Sequence, residues 1–133
     1  MRFTTRLACL CLLAAPLIGC GGPTYESIFR KSLDLLKEVR DVLQDVTDEE
    51  SAKAAGDRFK AIRAKNDAIK AELQALNPKP TLLEQQAVKN TNADYIDLVK
   101  LIHNEETRIR RYPVLKVHLD EWLKWLDKGG PLS

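Results

Sequence analysis

Residues 25–46, YESIFRKSLDLLKEVRDVLQDV, decide the fold class. Apolar side chains fall at Tyr25, Ile28, Leu35, Val39, Val42 and Val46, with the small Ser32 in the same series and Phe29, Leu36 and Leu43 widening the stripe. Steps that alternate between three and four residues keep one face of a helix apolar, whereas a half-buried strand needs alternation at every second residue. The spacing therefore predicts a helix of about 23 residues starting near Thr24.

The segment that follows repeats the step at Ala52, Ala55, Phe59, Ile62, Asn66, Ile69, Leu73 and Leu76. An unbroken series of this kind predicts a coiled-coil-like packing face between the two helices. Asn66 interrupts the seam between Ile62 and Ile69, where a buried amide fixes helix register at some cost in stability and needs a partner. The stretch Ser51 to Gly56, SAKAAG, is rich in small residues. Gly56 costs a helix about 1 kcal/mol relative to Ala, so close approach of another helix is the expected compensation, with a small ligand pocket at that end as the alternative.

The joints fit these stripes. Thr47-Asp48-Glu49-Glu50 and Thr81-Leu82-Leu83-Glu84 both have the form of a capping box, and Asn77-Pro78-Lys79-Pro80 stops the second helix because proline cannot continue the hydrogen-bond ladder. A third helix is expected from about Leu82 to Arg111, with Val88, Tyr95, Leu98, Val99, Ile102 and Ile109 inward, although Gln85-Gln86 and Asn90-Thr91-Asn92 weaken its first half. Pro113 then ends or kinks it, and a last helix of about fifteen residues finishes at a cap formed by Gly129-Gly130-Pro131. No alternating pattern is long enough to build a sheet. The expected fold is all-α: an antiparallel bundle of three long helices plus a short C-terminal amphipathic helix, occupying residues 24–128, with 129–133 as a tail.

The N-terminus reads differently. Arg2 and Arg6 precede the apolar run Leu7 to Ile18, which is about 12 residues long and so falls short of the ~20 that span a bilayer. Charge, then a short apolar stretch, then small residues is the pattern of an export signal. The end of that run, Leu17-Ile18-Gly19-Cys20, resembles the lipobox of bacterial lipoproteins. The resemblance implies removal of residues 1–19 and lipidation of Cys20, with 20–23 as the lipidated cysteine and a short linker. It further implies anchoring to a membrane through lipid, at the periplasmic face of the outer membrane where the host has one, because Gly21 is not the Asp that favours inner-membrane retention.

Composition narrows the function. Lys+Arg number 21 and Asp+Glu 19, and removing Arg2 and Arg6 with the signal leaves 19 of each, a neutral chain. Neutrality supplies no positive field for phosphate backbones, so nucleic acid is not an expected partner. Cys9 and Cys11 leave with the signal and Cys20 carries lipid, so no disulfide pair is expected. A mature chain of about 114 residues can bury an adequate core without one.

Catalytic and metal patterns are sparse. Met1 is the sole methionine, His103 and His118 have no acid three residues before them, and there is no Gly-rich phosphate loop, Gly-x-Ser-x-Gly elbow or His-Glu-x-x-His. His103 and Glu106 share a helix face at a spacing of three, but a lone pair of donors more commonly marks a solvated surface than a metal site. No cofactor, metal or catalytic residue is therefore expected.

The C-terminal helix is the one place where sequence suggests a surface. Val114, Leu115, His118, Leu119, Trp122, Leu123, Trp125 and Leu126 fill half its cylinder, and Lys116, Asp120, Glu121, Lys124, Asp127 and Lys128 fill the other, with Val117 the apolar intruder. Half a cylinder is wider than one seam requires. The helix is expected to fold across the bundle and bury its tryptophans, or to leave part of that face, Val114, Trp122 and Trp125, open to a protein partner or to the membrane interface. Arg108, Arg110 and Arg111 just upstream would supply attraction to anionic lipid, or else complement helix ends.

The stretch Val46 to Ile62, VTDEESAKAAGDRFKAI, is similar to a segment of small uncharacterised exported helical proteins of planctomycete-type bacteria, a resemblance that implies no activity. The expected function is a non-enzymatic, lipid-anchored binding or structural module of the cell envelope, with an envelope protein as its partner. The alternative is a periplasmic helical sensor or carrier of a small apolar ligand.

Overall fold

The computed structural model describes residues 22–132; the expected signal and the expected lipidation site, Cys20, lie outside them. The protein is all-α: α1 (Tyr25–Asp45), α2 (Glu49–Ala75), α3 (Leu82–Thr91), α4 (Ala93–Arg110) and α5 (Pro113–Asp127), followed by a 3-10 turn at Gly130–Leu132. Among the described residues there is no strand, and no helix is long and apolar enough to cross a membrane.

Local chemistry sets the starts. At α1, the Thr24 hydroxyl accepts from the Ser27 N–H while the Ser27 hydroxyl accepts from the Thr24 N–H. The capping box expected at Thr81 forms, with the Glu84 carboxylate accepting the Thr81 N–H at 2.7 Å. At α2 the cap is one residue later than the Thr47–Glu50 reading: Asp48 Oδ1 accepts the Ser51 N–H at 2.8 Å, and the Ser51 hydroxyl accepts the N–H groups of both Thr47 and Asp48. A carboxylate beside a helix start satisfies an orphan amide and faces the positive end of the dipole, which favours Asp48 over the Thr47 hydroxyl.

The expected third helix is two helices. Asn92 leaves helical geometry (φ −90°, ψ 108°), and its side-chain oxygen accepts the Tyr95 N–H at 2.9 Å, so it ends α3 and caps α4. This asparagine prefers a local hydrogen bond to continuing the ladder. The break expected at Pro113 is present: α4 ends at Arg110, Tyr112 before the proline is extended, and Pro113 itself stands at the first position of α5, where its missing N–H costs nothing. Residues 129–131 are not a free tail. Gly129 and Gly130 take φ 99° and 48°, and Gly130 and Pro131 are buried as the 3-10 turn packs on α1.

α1 packs between α2 and α4, and α5 closes the bundle against α2 and α4. Ion pairs Lys31–Glu72, Glu38–Lys65 and Asp45–Arg58, at 2.6–2.7 Å and seven residues apart on each helix, fix α1 and α2 antiparallel. Exposed pairs add little stability, so their role is register. α4 runs parallel to α1, since Tyr95 lies 6.1 Å from Phe29 at one end and Arg108 reaches Leu43 and Val46 at the other. α5 runs alongside α2 in the same direction, with His118 near Glu49 and Trp122 on Phe59. The core is the α1 residues Ile28, Phe29, Leu33, Leu35, Leu36, Val39, Val42, Leu43 and Val46, the α2 residues Ala52, Ala55, Phe59 and Ile62, and Leu98, Ile102, Ile109, Leu115, Leu119, Trp122 and Leu123, while Tyr25, Ser32, Ile69, Leu73 and Leu76 of the predicted stripes are half-buried. Val99, expected inward, is 36% exposed.

The α2 cap has a pH signature. The Ser51 N–H holds the Asp48 carboxyl below its ordinary value, so the cap's stabilisation is complete above the unfolded-state pKa and is lost as pH falls through the folded one. Asp48→Ala should lower the melting temperature by several degrees at neutral pH, whereas Thr47→Ala should leave it nearly unchanged. Melting curves down to pH 3 should show the Asp48→Ala deficit shrinking as the wild-type carboxylate protonates.

Candidate partner surface

The surface is built where α5 begins. Tyr112 is extended (φ −110°, ψ 102°) and caps α5 without a side-chain hydrogen bond. That leaves its ring 56% exposed, next to Val114 at 55% and Val117 at 69%. One helical step round, Leu115, Leu119, Trp122 and Leu123 are buried. The Trp122 ring stacks on Phe59 at 5.6 Å with 13° between planes, and Trp125 meets Trp122 edge-on at 6.3 Å and 89°.

The three residues marked by the sequence therefore separate. Val114 is on the surface, Trp125 is half-buried, and Trp122 is a core residue at 6% exposure. The small residues of α2 explain Trp122: Ala52 and Ala55 are buried, and a Cβ at Gly56 would stand 3.7 Å from the indole Nε1. The run that sequence marked for close helix approach accommodates an aromatic ring.

Between α5 and the α1–α2 turn is a cleft of about 400 Å³, lined by Thr47, Asp48, Glu49, Arg108, Tyr112, Pro113, Val114 and Leu115. Arg108 donates to the carbonyls of Val46 and Leu43, both at 2.8 Å, and to Glu105 at 2.6 Å. Its guanidinium is thus turned toward the α1 carbonyls, and the carboxylates at the cleft's rim are Asp48 and Glu49, the latter paired with Lys53 at 2.7 Å. Hydrogen bonds from Lys53 and His118 hold the Glu49 carboxyl below its ordinary value, so with Asp48 it is ionised at neutral pH. An apolar wall of Tyr112, Pro113 and Val114 facing two carboxylates suits an apolar side chain flanked by a basic one.

Other sequence candidates lie elsewhere. His103 Nδ1 is 3.9 Å from Glu106 Oε2, with the imidazole 77% exposed. Burial pushes the Glu106 carboxyl above its ordinary value against the pull of Arg110, with Asp127 adding to the push. Among the described residues no three His, Cys, Asp or Glu gather as a metal site would need. Asn66 is buried at 1% exposure, and its Oδ1 has no hydrogen-bond partner. It adjoins a cavity of about 90 Å³ with Ile28, Phe29, Ser32, Ile69 and Leu73 in its walls. Arg110 pairs with Asp127 at 2.8 Å, which ties the end of α5 to α4.

Sequence reasoning missed Tyr112 and the part of Arg108. The signal for the first was present, since an aromatic before a proline at a helix junction has no helical face on which to be buried. No family model, no curated protein and no solved structure matches the chain.

The two tryptophans should separate in mutagenesis. Trp122→Ala removes a buried stacked ring and should cost about 3–5 kcal/mol of unfolding free energy. Trp125→Ala loses one edge contact and partial burial, about 1–2 kcal/mol. Urea unfolding followed by circular dichroism measures both; equal losses would contradict the assignment of Trp122 alone to the core.

Proposed function

We propose that this chain is a lipid-anchored helical bundle of the cell envelope, a non-enzymatic module that binds a protein partner through the cleft at the start of α5. In it, α3 and α4 together take the place of a third long helix. The observation that carries the reading is the exposed apolar group Tyr112, Val114 and Val117 beside the acidic rim of Asp48 and Glu49. Single exposed apolar residues are ordinary, whereas a cluster around a cleft is how interaction sites are built. Cys20, as the lipid-bearing residue, would hold the opposite end of the bundle at the membrane. A 21-residue α1 rising 1.5 Å per residue sets the cleft about 30 Å from that end, on the side facing away from the bilayer.

The carrier alternative is less well supported. The cavity beside Asn66, about 90 Å³, is smaller than the roughly 150 Å³ that accommodates a benzene and far below the ~300–1,000 Å³ of ordinary ligand pockets. Nucleic acid suits neither the balanced charge nor the acidic rim.

Two variants test the reading. Cys20→Ser should abolish incorporation of labelled fatty acid and release the protein from membranes. Val114→Asp should change stability by no more than about 0.5 kcal/mol yet abolish the partner that wild type captures by crosslinking in native membranes. Equal capture by wild type and Val114→Asp would contradict the assignment of the cleft.

A further inference from the structure

α3 is the only helix among those described that buries no residue. Gln85, Val88 and Lys89 are partly covered against the bundle, while Leu82, Leu83, Gln86, Ala87 and Asn90 are exposed. Stepped at about 100° per residue, those five share one outward face. That face carries no charge between Leu82 and Ala87, with the partly covered Lys89 at its edge about 20° beyond Leu82, whereas the exposed faces of α1, α2, α4 and α5 carry acids and bases throughout. Leu82 and Leu83 are each 81% exposed, the most exposed large apolar residues described. The nearest acid, Glu84, is turned back onto the Thr81 N–H and hydroxyl as a cap and does not accompany the leucines.

The position of this face matters as much as its composition. Pro23, Thr24 and Tyr25 share a cleft with Leu76 to Thr81 and Glu84, so α3 starts where the chain enters the bundle. Cys20 is four residues before Thr24, and four residues of fully extended chain reach at most about 14 Å. A lipid on Cys20 therefore holds the bilayer surface within that reach of Thr24, which shares a cleft with the start of α3.

We propose that the outer face of α3 lies in the membrane interface, with Leu82 and Leu83 in the headgroup and upper acyl region, as a protein-borne contact that orients the bundle beside its lipid anchor. Amphipathic helices lie in the interface plane with their apolar side in the headgroup and acyl boundary; here Leu82, Leu83 and Ala87 supply the apolar side, with Gln86 and Asn90 beside them. The occupant is lipid because the anchor places lipid next to this face, whereas the cleft at the start of α5 is at the far end of α1. The inference rests on lipidation of Cys20, and its test separates the two.

The lipidated full chain, purified from membranes and reconstituted into vesicles of phosphatidylethanolamine and phosphatidylglycerol, would carry the photocrosslinker benzoylphenylalanine in place of Leu83, Leu82 or, as the far-end control, Val117. All three positions are exposed, and circular dichroism checks that each variant is folded. Flotation reports anchoring, and mass spectrometry after irradiation identifies what each position touches. The expected result is flotation of every variant, lipid adducts at 83 and 82, and none at 117. Flotation without lipid adducts at 82 and 83, a crosslinked dimer there, or lipid adducts at 117 instead would overturn the α3 contact and leave the anchor standing. Failure to float would overturn both.

Discussion

The guanidinium of Arg108 is the contact on which the far end of this bundle depends. α1 has no glycine at its end; Val46 closes it in extended geometry, fully buried, with its N–H bonded to the Leu43 carbonyl. The last carbonyls of a helix must find donors, and buried ones are costly to leave without. Arg108, more than sixty residues away in sequence, supplies both donors from α4 and is steadied by Glu105. One side chain thereby caps α1, sets α4 parallel to it, and forms the floor of the cleft that α5 closes.

The rest of the architecture follows from how little each helix can bury alone. α1 buries eight side chains because it faces both α2 and α4. α2 has small residues where α5 crosses, and the volume they leave is filled by Trp122 stacked on Phe59. Heptad-spaced ion pairs choose among registers that the apolar seam alone would tolerate. Among the described residues two buried side-chain polar atoms have no hydrogen-bond partner, Asn66 Oδ1 and Glu106 Oε1. For Asn66 the seam position accounts for the burial but not for the absent hydrogen bond. For Glu106 burial disfavours the charged form and so raises its pKa.

Much of this was legible in the chain. The helical class and the inward residues of α1 and α2 follow from a period of three and four, because burial on one face is a local property of a helix. What was not legible depends on competition or distance. Asn92 could continue a helix or cap the next one, and only the packing of Tyr95 on Phe29 decides it. Asp48 displaced Thr47 as cap because Ser51, one position beyond the expected Glu50, closes the reciprocal bonds. Trp122 and Trp125 stand about 60° apart on a helical wheel, with Trp125 nearer the polar boundary, yet the space above Gly56 that the Trp122 ring fills lies on another helix. Arg108 read as a helix-end cation near a membrane, and nothing local told that its partners were carbonyls of α1.

The far-end cleft is held by the cross-bundle tie from Arg108 to the carbonyls of Leu43 and Val46. Hydrogen exchange followed by mass spectrometry on Arg108→Lys tests that most directly. A single ammonium cannot span two carbonyls and a carboxylate, and each charge-assisted bond lost is worth about 1.5–3 kcal/mol. Exchange should accelerate in residues 43–50 and 112–118, which form the cleft, while the middle of α2 around Phe59 and Ile62 stays protected. Unchanged exchange at the cleft, or an equal rise everywhere, would contradict the claim that this guanidinium organises that end of the molecule.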